Sequence, residues 1–308
     1  MLDFAFTEGS DPAARERVRR DLARIVDACR AADARLHALV LTGGFSRGEG
    51  TVRDGAPVND YDLVAVRAAP GGRARYQHVS AVLTQDLGIE VDLMPVWSAR
   101  LPRVGRKLFW LDLRLGGRVL HGDEGVLGRL PRFDARDLDP REPARLLGNR
   151  AAGLLLALPE PGQPTDERQV ALQSAKAVLA AMDARLLHEG LYAARLRERL
   201  DLAKGHPDHA LFAQAVDWKL ADRDLPAPSW DEARRALLEA VQATRAERHA
   251  DGWTERAFHL LYARRFRASP SRDVRHAAWQ LLRRVHLSQG IERSVKEEFF
   301  AARARTLQ

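Results

Sequence analysis

Three aspartates that follow a glycine-rich loop are the residues of this chain whose types and spacing could do chemistry. The loop is GGFSRGEG at 43–50. Asp60 and Asp62 follow it in DYDLVAV, and Asp92 lies further on in GIEVDLMPV. Neighbouring carboxylates repel one another, and the usual compensation is Mg²⁺, which prefers one or two carboxylates plus phosphate oxygens. The pattern indicates a metal site beside a loop that approaches a ligand closely.

Strand geometry would bring these carboxylates together. Residues i and i+2 of a strand share a face, so Asp60 and Asp62 would point the same way, with Cα atoms roughly 6–7 Å apart. Asp92 would sit in an apolar strand, where a charge is costly without a partner. If the two strands are neighbours, the cluster could hold two metal ions about 3.5–4 Å apart. The alternatives are an acidic turn for the first pair and an exposed strand edge for Asp92.

The loop has the composition of a phosphate cradle. Gly43 and Gly44 have no Cβ atom, so their backbone amides can come close to a ligand. A helix that begins within Phe45–Thr51 would point free N–H groups at an anion. Ser46 adds a hydroxyl donor and Arg47 adds a cation.

Structural alternatives exist for part of this loop. Ser46 could cap the short helix, and Arg47 could form a salt bridge with Glu49 or Asp54. The segment TVRDGAPV at 51–58, which leads to the aspartates, is predicted to be a solvated connection.

A small α/β unit is predicted around these residues. Helices are expected over 11–34, opened by Ser10-Asp11-Pro12, and over Arg73–Leu87, which Gly88 ends. Short apolar strands are expected at His37–Thr42, Asp60–Val66, Ile89–Val96 and Arg118–Leu120.

Strand signals disappear beyond the proline-bearing linker Leu130–Arg145. Helical periodicity is predicted near 140–158, 166–189, 193–204, 208–222, 230–249, 251–268, 271–287 and 291–306. The predicted fold class is α+β: a small α/β head with a mixed sheet, followed by an all-helical C-terminal domain. The domains are predicted as 1–132 and 133–308.

The quoted motifs resemble a known family. GGFSRGEG, then NDYDLVAV and later VDLMPV look like the signature of the nucleotidyltransferase superfamily of DNA polymerase beta type, over roughly residues 36–128. The sequence of the loop is similar to that of the uridylyltransferases that modify nitrogen-regulatory signalling proteins. This chain is much shorter than those enzymes and shows no paired His-Asp hydrolase motif, so the resemblance implies no role in nitrogen regulation.

The resemblance implies the site residues and the reaction. Asp60 and Asp62 would bind two Mg²⁺ ions, or Mn²⁺ in their place. Asp92 would bind the catalytic ion and help deprotonate a hydroxyl acceptor. Attack on the α-phosphorus of a nucleoside triphosphate would then transfer a nucleoside monophosphate and release pyrophosphate. The residues expected to hold the nucleotide in the loop are Gly43, Gly44, Ser46 and Arg47.

One helix of the C-terminal region carries an unusual polar stripe. The stripe consists of Gln169, Gln173, Lys176, Ala180 and Asp183, which fall on one helical face. Its flanks are mostly apolar, so much of the helix should be buried, and a buried polar stripe needs a partner or a wet cleft. We expect Lys176 to lie near the triphosphate; the alternative is an ordinary solvent-facing stripe.

Composition narrows the class of protein. The net charge is +7, yet 42 acidic residues are interspersed with 49 basic ones, so charge alone is weak support for nucleic-acid binding. Cys29 is the only cysteine, which excludes an internal disulfide and a cysteine-rich metal site. The start of the chain lacks a signal-peptide pattern, and the longest apolar run, 151–159, is too short to cross a bilayer. A cytoplasmic protein without membrane contact is expected.

Several functions stay open at this point. The acceptor could be a protein side chain, a small molecule or an RNA end, and the chain length favours a single transfer over polymerisation. The alternative is a catalytically retired module that binds nucleotide or nucleic acid. A helical-domain ribonuclease would need an Arg and a His together, for which Arg275-His276 is available. The basic segment at 262–286 is more typical of a solvated helix face.

Overall fold

The computed structural model describes residues 5–8, 12–53, 56–157, 164–221 and 225–246. The fold class is α+β, as predicted, with an α/β region followed by helices. The predicted helices at 251–268, 271–287 and 291–306, and the pair Arg275-His276, lie outside the described residues.

The chain divides into two compact units. Of the described residues, the first unit contains those within Met1–Leu138, Ala193–Glu198 and Asp217–Leu225. The second contains those within Asp139–Tyr192 and Arg199–Val216 and those from Pro226 to Ala246. The domain boundary between 132 and 133 stays a prediction.

A four-stranded mixed sheet forms the centre of the first unit. Its strands are β1 (Leu36–Thr42), β4 (Tyr61–Arg67), β5 (Val91–Trp97) and β6 (Arg118–Gly122). They lie in the order β5-β4-β1-β6, with β1 antiparallel to β4 and β6, and β4 parallel to β5. The four predicted strands are therefore confirmed to within two residues of their bounds. A short hairpin, β2 (Val52–Arg53) and β3 (Ala56–Pro57), forms a second sheet.

One face of the sheet packs against two helices, α1 (Pro12–Ala32) and α3 (Arg73–Leu87). Alternate residues of a strand point to opposite faces, and one set from β1, β4 and β5 is buried with apolar residues of both helices. The buried side chains include Leu39, Leu41, Tyr61, Leu63, Leu93, Leu22, Ile25, Tyr76 and Leu83. Helix α3 has the predicted bounds, because Gly88 adopts φ +68° and ends it.

The other face of the sheet packs against α4 (Leu108–Gly116) and two 3₁₀ segments, Ser98–Arg103 and Glu124–Arg129. The buried side chains on this side include Ala38, Val40, Val64, Val66, Leu101, Leu113, Val126 and Leu130. Both faces of the strands are therefore covered, which is why these strands read as nearly continuous apolar runs.

Tyr61 anchors the start of β4. Its hydroxyl donates to the buried Asp21 of α1 at 3.0 Å, and Arg17 donates to the same carboxylate. Burial, together with the Asp21 carboxylate, raises the pKa of Tyr61 above its ordinary value. The ring also lies 4.9 Å from that of Phe45. Tyr61 is thus held on the face of β4 that packs against α1, opposite to the face that carries Asp62.

The remaining described helices begin after a 3₁₀ turn at Ala135–Asp137. They are α5 (Glu142–Leu156), α6 (Glu167–His188), α7 (Leu196–Leu202), α8 (His209–Leu220) and α9 (Trp230–Thr244). Helix α6 packs against α5 and α9, and its second half is buried nearly all round, as predicted. None of the helices in the described ranges combines the length and the apolar character needed to cross a bilayer.

Truncation of a strand residue in the first core should destabilise the protein strongly. Leu63 of β4 is 2% exposed and is buried beneath α1 and α3. We expect Leu63→Ala to lower the free energy of unfolding by about 2–5 kcal/mol, since the variant loses buried apolar surface and leaves a cavity. Val82→Ala is the control, because Val82 lies on α3 but is 45% exposed. Equal losses for the two variants in urea titrations would contradict this view of the core.

Candidate functional site

The parallel register of β4 and β5 sets two of the predicted aspartates side by side. Asp62 is the register partner of Asp92, between the pairs Tyr61–Val91 and Leu63–Leu93. Neighbouring strands are about 4.8 Å apart, and register partners share a face. The two strands are neighbours, which was the condition for Asp62 and Asp92 to lie together.

The end of β1 lies on the other side of Asp62. Thr42, the last residue of β1, is the register partner of Asp62, and Gly43 follows it directly. A Cβ atom added to Gly43 would overlap Oδ2 of Asp62. Gly43 also adopts φ +73°, a conformation that side chains disfavour. The first glycine of the loop is therefore required by the close approach of this carboxylate.

Asp60 lies just outside the strand, since β4 begins at Tyr61 rather than at the predicted Asp60. Among the described residues, no group of three His, Cys, Asp or Glu side chains is arranged to hold a metal ion. The geometry thus assembles the pair Asp62 and Asp92. The membership of Asp60 stays a prediction, as do the metal-binding roles of all three aspartates.

The loop folds into a helix that begins earlier than expected. Helix α2 spans Gly43–Arg47, whereas the sequence left open a start within Phe45–Thr51. Gly48 ends it with φ +80°, and its N–H bonds to the Gly44 carbonyl. The Ser46 hydroxyl donates to the Gly43 carbonyl at 2.9 Å and is buried. In this arrangement Ser46 shapes the turn, and phosphate binding by Ser46 stays a prediction.

Arg47 is held by two carboxylates beneath the loop. Its Nε lies 3.1 Å from Glu49 and its Nη1 lies 2.6 Å from Asp112 of α4. Glu49 is only 3% exposed and also accepts from the backbone N–H of Leu196. The salt bridge to Glu49 is the alternative that the sequence left open. The nucleotide-binding role of Arg47 stays a prediction.

The first part of the segment that joins the loop to Asp60 is buried rather than solvated as the sequence indicated, whereas Ala56 and Val58 are exposed. Thr51, Val52 and Arg53 are buried, and they begin the β2–β3 hairpin. Arg53 donates to the carbonyls of Trp218, at 2.5 Å, and Ala221. The β2 strand of this hairpin is buried because the end of α8 lies against it within the first unit.

Lys219 is a residue near the site that sequence reasoning missed. Its Nζ lies 3.1 Å from Oδ1 of Asn59, the residue before Asp60, and 3.2 Å from Oγ1 of Thr51. Asn59 also accepts from the Thr51 N–H at 2.6 Å. No local pattern identifies Lys219, because its partners are 160 and 168 residues away in sequence. These contacts fix Asn59, the residue that leads into Asp60.

The polar stripe of α6 finds partners within the second unit. Asp183 forms a buried ion pair with Arg199 at 2.6 Å, and the Arg199 guanidinium lies 5.1 Å from the Tyr192 ring. Gln173 packs closely against α5, because a Cβ atom added to Gly153 would overlap the Oε1 atom of Gln173. The C-terminal part of the stripe is therefore not an ordinary solvent-facing surface, whereas Gln169 at its start is exposed. The proposed contact of Lys176 with a triphosphate stays a prediction.

Comparisons with known proteins assign no family to this chain. No family model matches it, and no curated protein matches it. Among the solved structures that match is a rebuilt and re-refined structure of the tri-AMPylated Shewanella oneidensis HEPN toxin in complex with MNT antitoxin. That match has 17% identity, covers 34% of this chain and 72% of that chain, and has a TM-score of 0.26. A likeness of this extent carries no argument about fold or function.

Substitution of Gly43 should show that the approach of Asp62 needs a residue without a side chain. Gly88 provides a matched control, because it adopts φ +68° and a Cβ there would meet nothing within 4 Å. We expect Gly88→Ala to cost about 1–2 kcal/mol of unfolding free energy from the left-handed backbone alone. Gly43→Ala should cost clearly more, because its Cβ also displaces the Asp62 carboxylate. Equal costs in urea unfolding would count against the close approach.

Proposed function

We propose that this chain is a Mg²⁺-dependent nucleotidyltransferase. It would move a nucleoside monophosphate from a nucleoside triphosphate to a hydroxyl acceptor and release pyrophosphate. The observation that carries the proposal is the register pairing of Asp62 with Asp92, with Gly43 directly under the Asp62 carboxylate. These residues belong to the three-part motif that resembles the nucleotidyltransferase superfamily.

The electrostatics of the pair support a cation. Two carboxylates on adjacent strands repel one another, and the repulsion is stronger where the surroundings are partly buried, as they are for Asp62 and Asp92. Mg²⁺ takes one or two carboxylates and completes its shell with phosphate oxygens and water. The two aspartates therefore fit a magnesium ion that is shared with a triphosphate, and Asp60 is the proposed third ligand.

The proposed roles follow from position. The oxygen of the acceptor hydroxyl bonds to the α-phosphorus, and Asp92 accepts the proton that this hydroxyl loses. The bond from the α-phosphorus to the bridging oxygen breaks, and pyrophosphate leaves with the electron pair. Bound Mg²⁺ supplies charge neutralisation on the phosphate oxygens. Gly43 and Gly44 let the triphosphate approach the backbone, since neither carries a side chain.

Arg47, the partly buried cation of the loop, has a supporting role in this proposal. Arg47 joins the end of α2 to Asp112 of α4, so the glycines are attached to a rigid part of the first unit. Rigid attachment matters because catalysis of this kind is mostly positioning and charge stabilisation. Lys219 similarly holds Asn59 directly before Asp60. Both residues act through the loop and the strand that they position.

Label transfer tests the proposed reaction. Each α-labelled nucleoside triphosphate is added with Mg²⁺ to purified protein in a cell extract, and label is followed into protein, RNA and small-molecule fractions. We expect transfer into one fraction with wild type, and a loss of about 10²-fold or more with Asp62→Asn or Asp92→Asn. Asp86→Asn is the matched control, because Asp86 is exposed on α3, where it forms a surface pair with Arg24; it should retain full activity.

Each outcome separates the candidate functions. The labelled fraction names the acceptor class among protein, small molecule and RNA. Transfer that persists in Asp62→Asn and Asp92→Asn would overturn the proposed site. Metal-dependent nucleotide binding without any transfer would favour the retired binding module instead.

A further inference from the structure

A basic cleft lies at the opposite end of β4 from the candidate site. It has a volume of about 710 Å³ and is lined by Asp33, Arg35, Arg67, Gly72 and Arg75, among others. Arg67 is the last residue of β4, whereas Asp62 is the second. Five residues of extended strand separate them by about 16 Å. The cleft, called here the arginine cleft, is therefore separate from the pair Asp62 and Asp92.

Two of its arginines are held by one buried carboxylate. The Arg67 side chain is 4% exposed and its Nε lies 2.5 Å from Oδ2 of Asp33. Its Nη1 also donates to the carbonyls of Ala69 and Pro70. Arg75 contacts Oδ1 of the same carboxylate at 3.0 Å but is 48% exposed. One guanidinium is thus fixed in the wall, and a second stands at the surface.

The carboxylate does not neutralise the cleft. Both oxygens of Asp33 are engaged, by the two guanidinium groups, the Arg35 N–H and the Tyr76 hydroxyl. The hydrogen bond from Arg67 holds the pKa of Asp33 below its ordinary value, so the carboxylate is ionised. Its single negative charge faces three arginines in the lining, Arg35, Arg67 and Arg75. The cleft therefore keeps a net positive charge of two.

We propose that the arginine cleft binds the phosphate group of a phosphorylated small molecule. The planar guanidinium group matches the geometry of phosphate oxygens and forms strong charge-assisted hydrogen bonds with them. The volume of about 710 Å³ exceeds what a bare phosphate needs and lies within the range of small-molecule sites. The N–H groups of Arg67 are largely engaged by Asp33 and two carbonyls, so Arg67 holds the Asp33 carboxylate to which Arg75 is bound. The exposed Arg75 and Arg35 are the groups that would contact the phosphate.

Two adjacent glycines give a matched test of the wall. Gly71 and Gly72 both adopt φ +88°, so alanine at either position is placed in a backbone region that side chains disfavour. A Cβ at Gly72 would lie 2.8–2.9 Å from the Arg67 guanidinium, whereas a Cβ at Gly71 meets nothing within 4 Å. Gly72→Ala therefore displaces Arg67, and Gly71→Ala does not.

Calorimetric titration with ribose 5-phosphate tests the proposal. The experiment uses the full chain in EDTA, so that metal-dependent binding at Asp62 and Asp92 is removed. We expect binding by wild type, by Gly71→Ala and by Asp62→Asn. Affinity should fall about tenfold or more in Arg75→Gln, which corresponds to the loss of one charge-assisted contact. It should also fall in Gly72→Ala, because a displaced Arg67 no longer holds Asp33 and, through it, Arg75. Ribose, which has no phosphate, should not bind, and inorganic phosphate should bind more weakly than the sugar phosphate.

Several results would overturn the inference. Absence of binding by wild type would show that the cleft is not a phosphate site. Unchanged affinity in both Arg75→Gln and Gly72→Ala would show that the ligand binds elsewhere. Equal affinity for inorganic phosphate would refute the assignment to a phosphorylated small molecule. Because Asp62→Asn leaves this cleft intact, failure here is distinguishable from failure of the proposed transfer reaction.

Discussion

The pairing of β4 with β5 in a single register is the interaction on which the rest of the first unit depends. It sets Leu63 beside Leu93 in the core under α1 and α3, and Asp62 beside Asp92 on the opposite face. A slip of one residue would move every side chain of β5 to the other face of the sheet. The burial of the leucines therefore keeps the two carboxylates together despite their repulsion.

The same constraint explains the form of the glycine loop. Because Thr42 pairs with Asp62, the chain must turn directly against the carboxylate, and a Cβ there would force that carboxylate to move. The turn is then secured from below by Arg47, which bridges Glu49 and Asp112. Glu49 is buried, so loss of its ion pair with Arg47 would be expensive, since it would leave a poorly compensated charge in the interior. Core packing, the glycine and the ion pairs thus converge on the placement of Asp62.

Local pattern predicted the parts of the structure that depend on local physics. Apolar runs located the four strands, Gly88 located the end of α3, and the shared face of Asp62 and Asp92 followed from strand periodicity once the strands were taken as neighbours. Periodicity cannot locate a helix of five residues, so the start of α2 at Gly43 was missed.

Contacts between distant parts of the chain were beyond prediction from one sequence. The burial of Arg53 depends on carbonyls at Trp218 and Ala221, and the position of Asn59 depends on Lys219. Arg47 offered a nearby partner in Glu49, but its second partner, Asp112, is 65 residues away. In each case the partner is selected by tertiary packing rather than by spacing.

The central claim is that Asp62 and Asp92 act as one site for a metal-bound triphosphate, and a double-mutant cycle tests it most directly. The quantity measured is the Mg²⁺-dependent affinity for a non-hydrolysable nucleoside triphosphate in wild type, Asp62→Asn, Asp92→Asn and the double variant. If the two carboxylates share a metal ion, each single variant loses most of the metal-dependent affinity and the double variant loses little more. Losses that simply add, or Mg²⁺-dependent affinity that survives in the double variant, would contradict the claim.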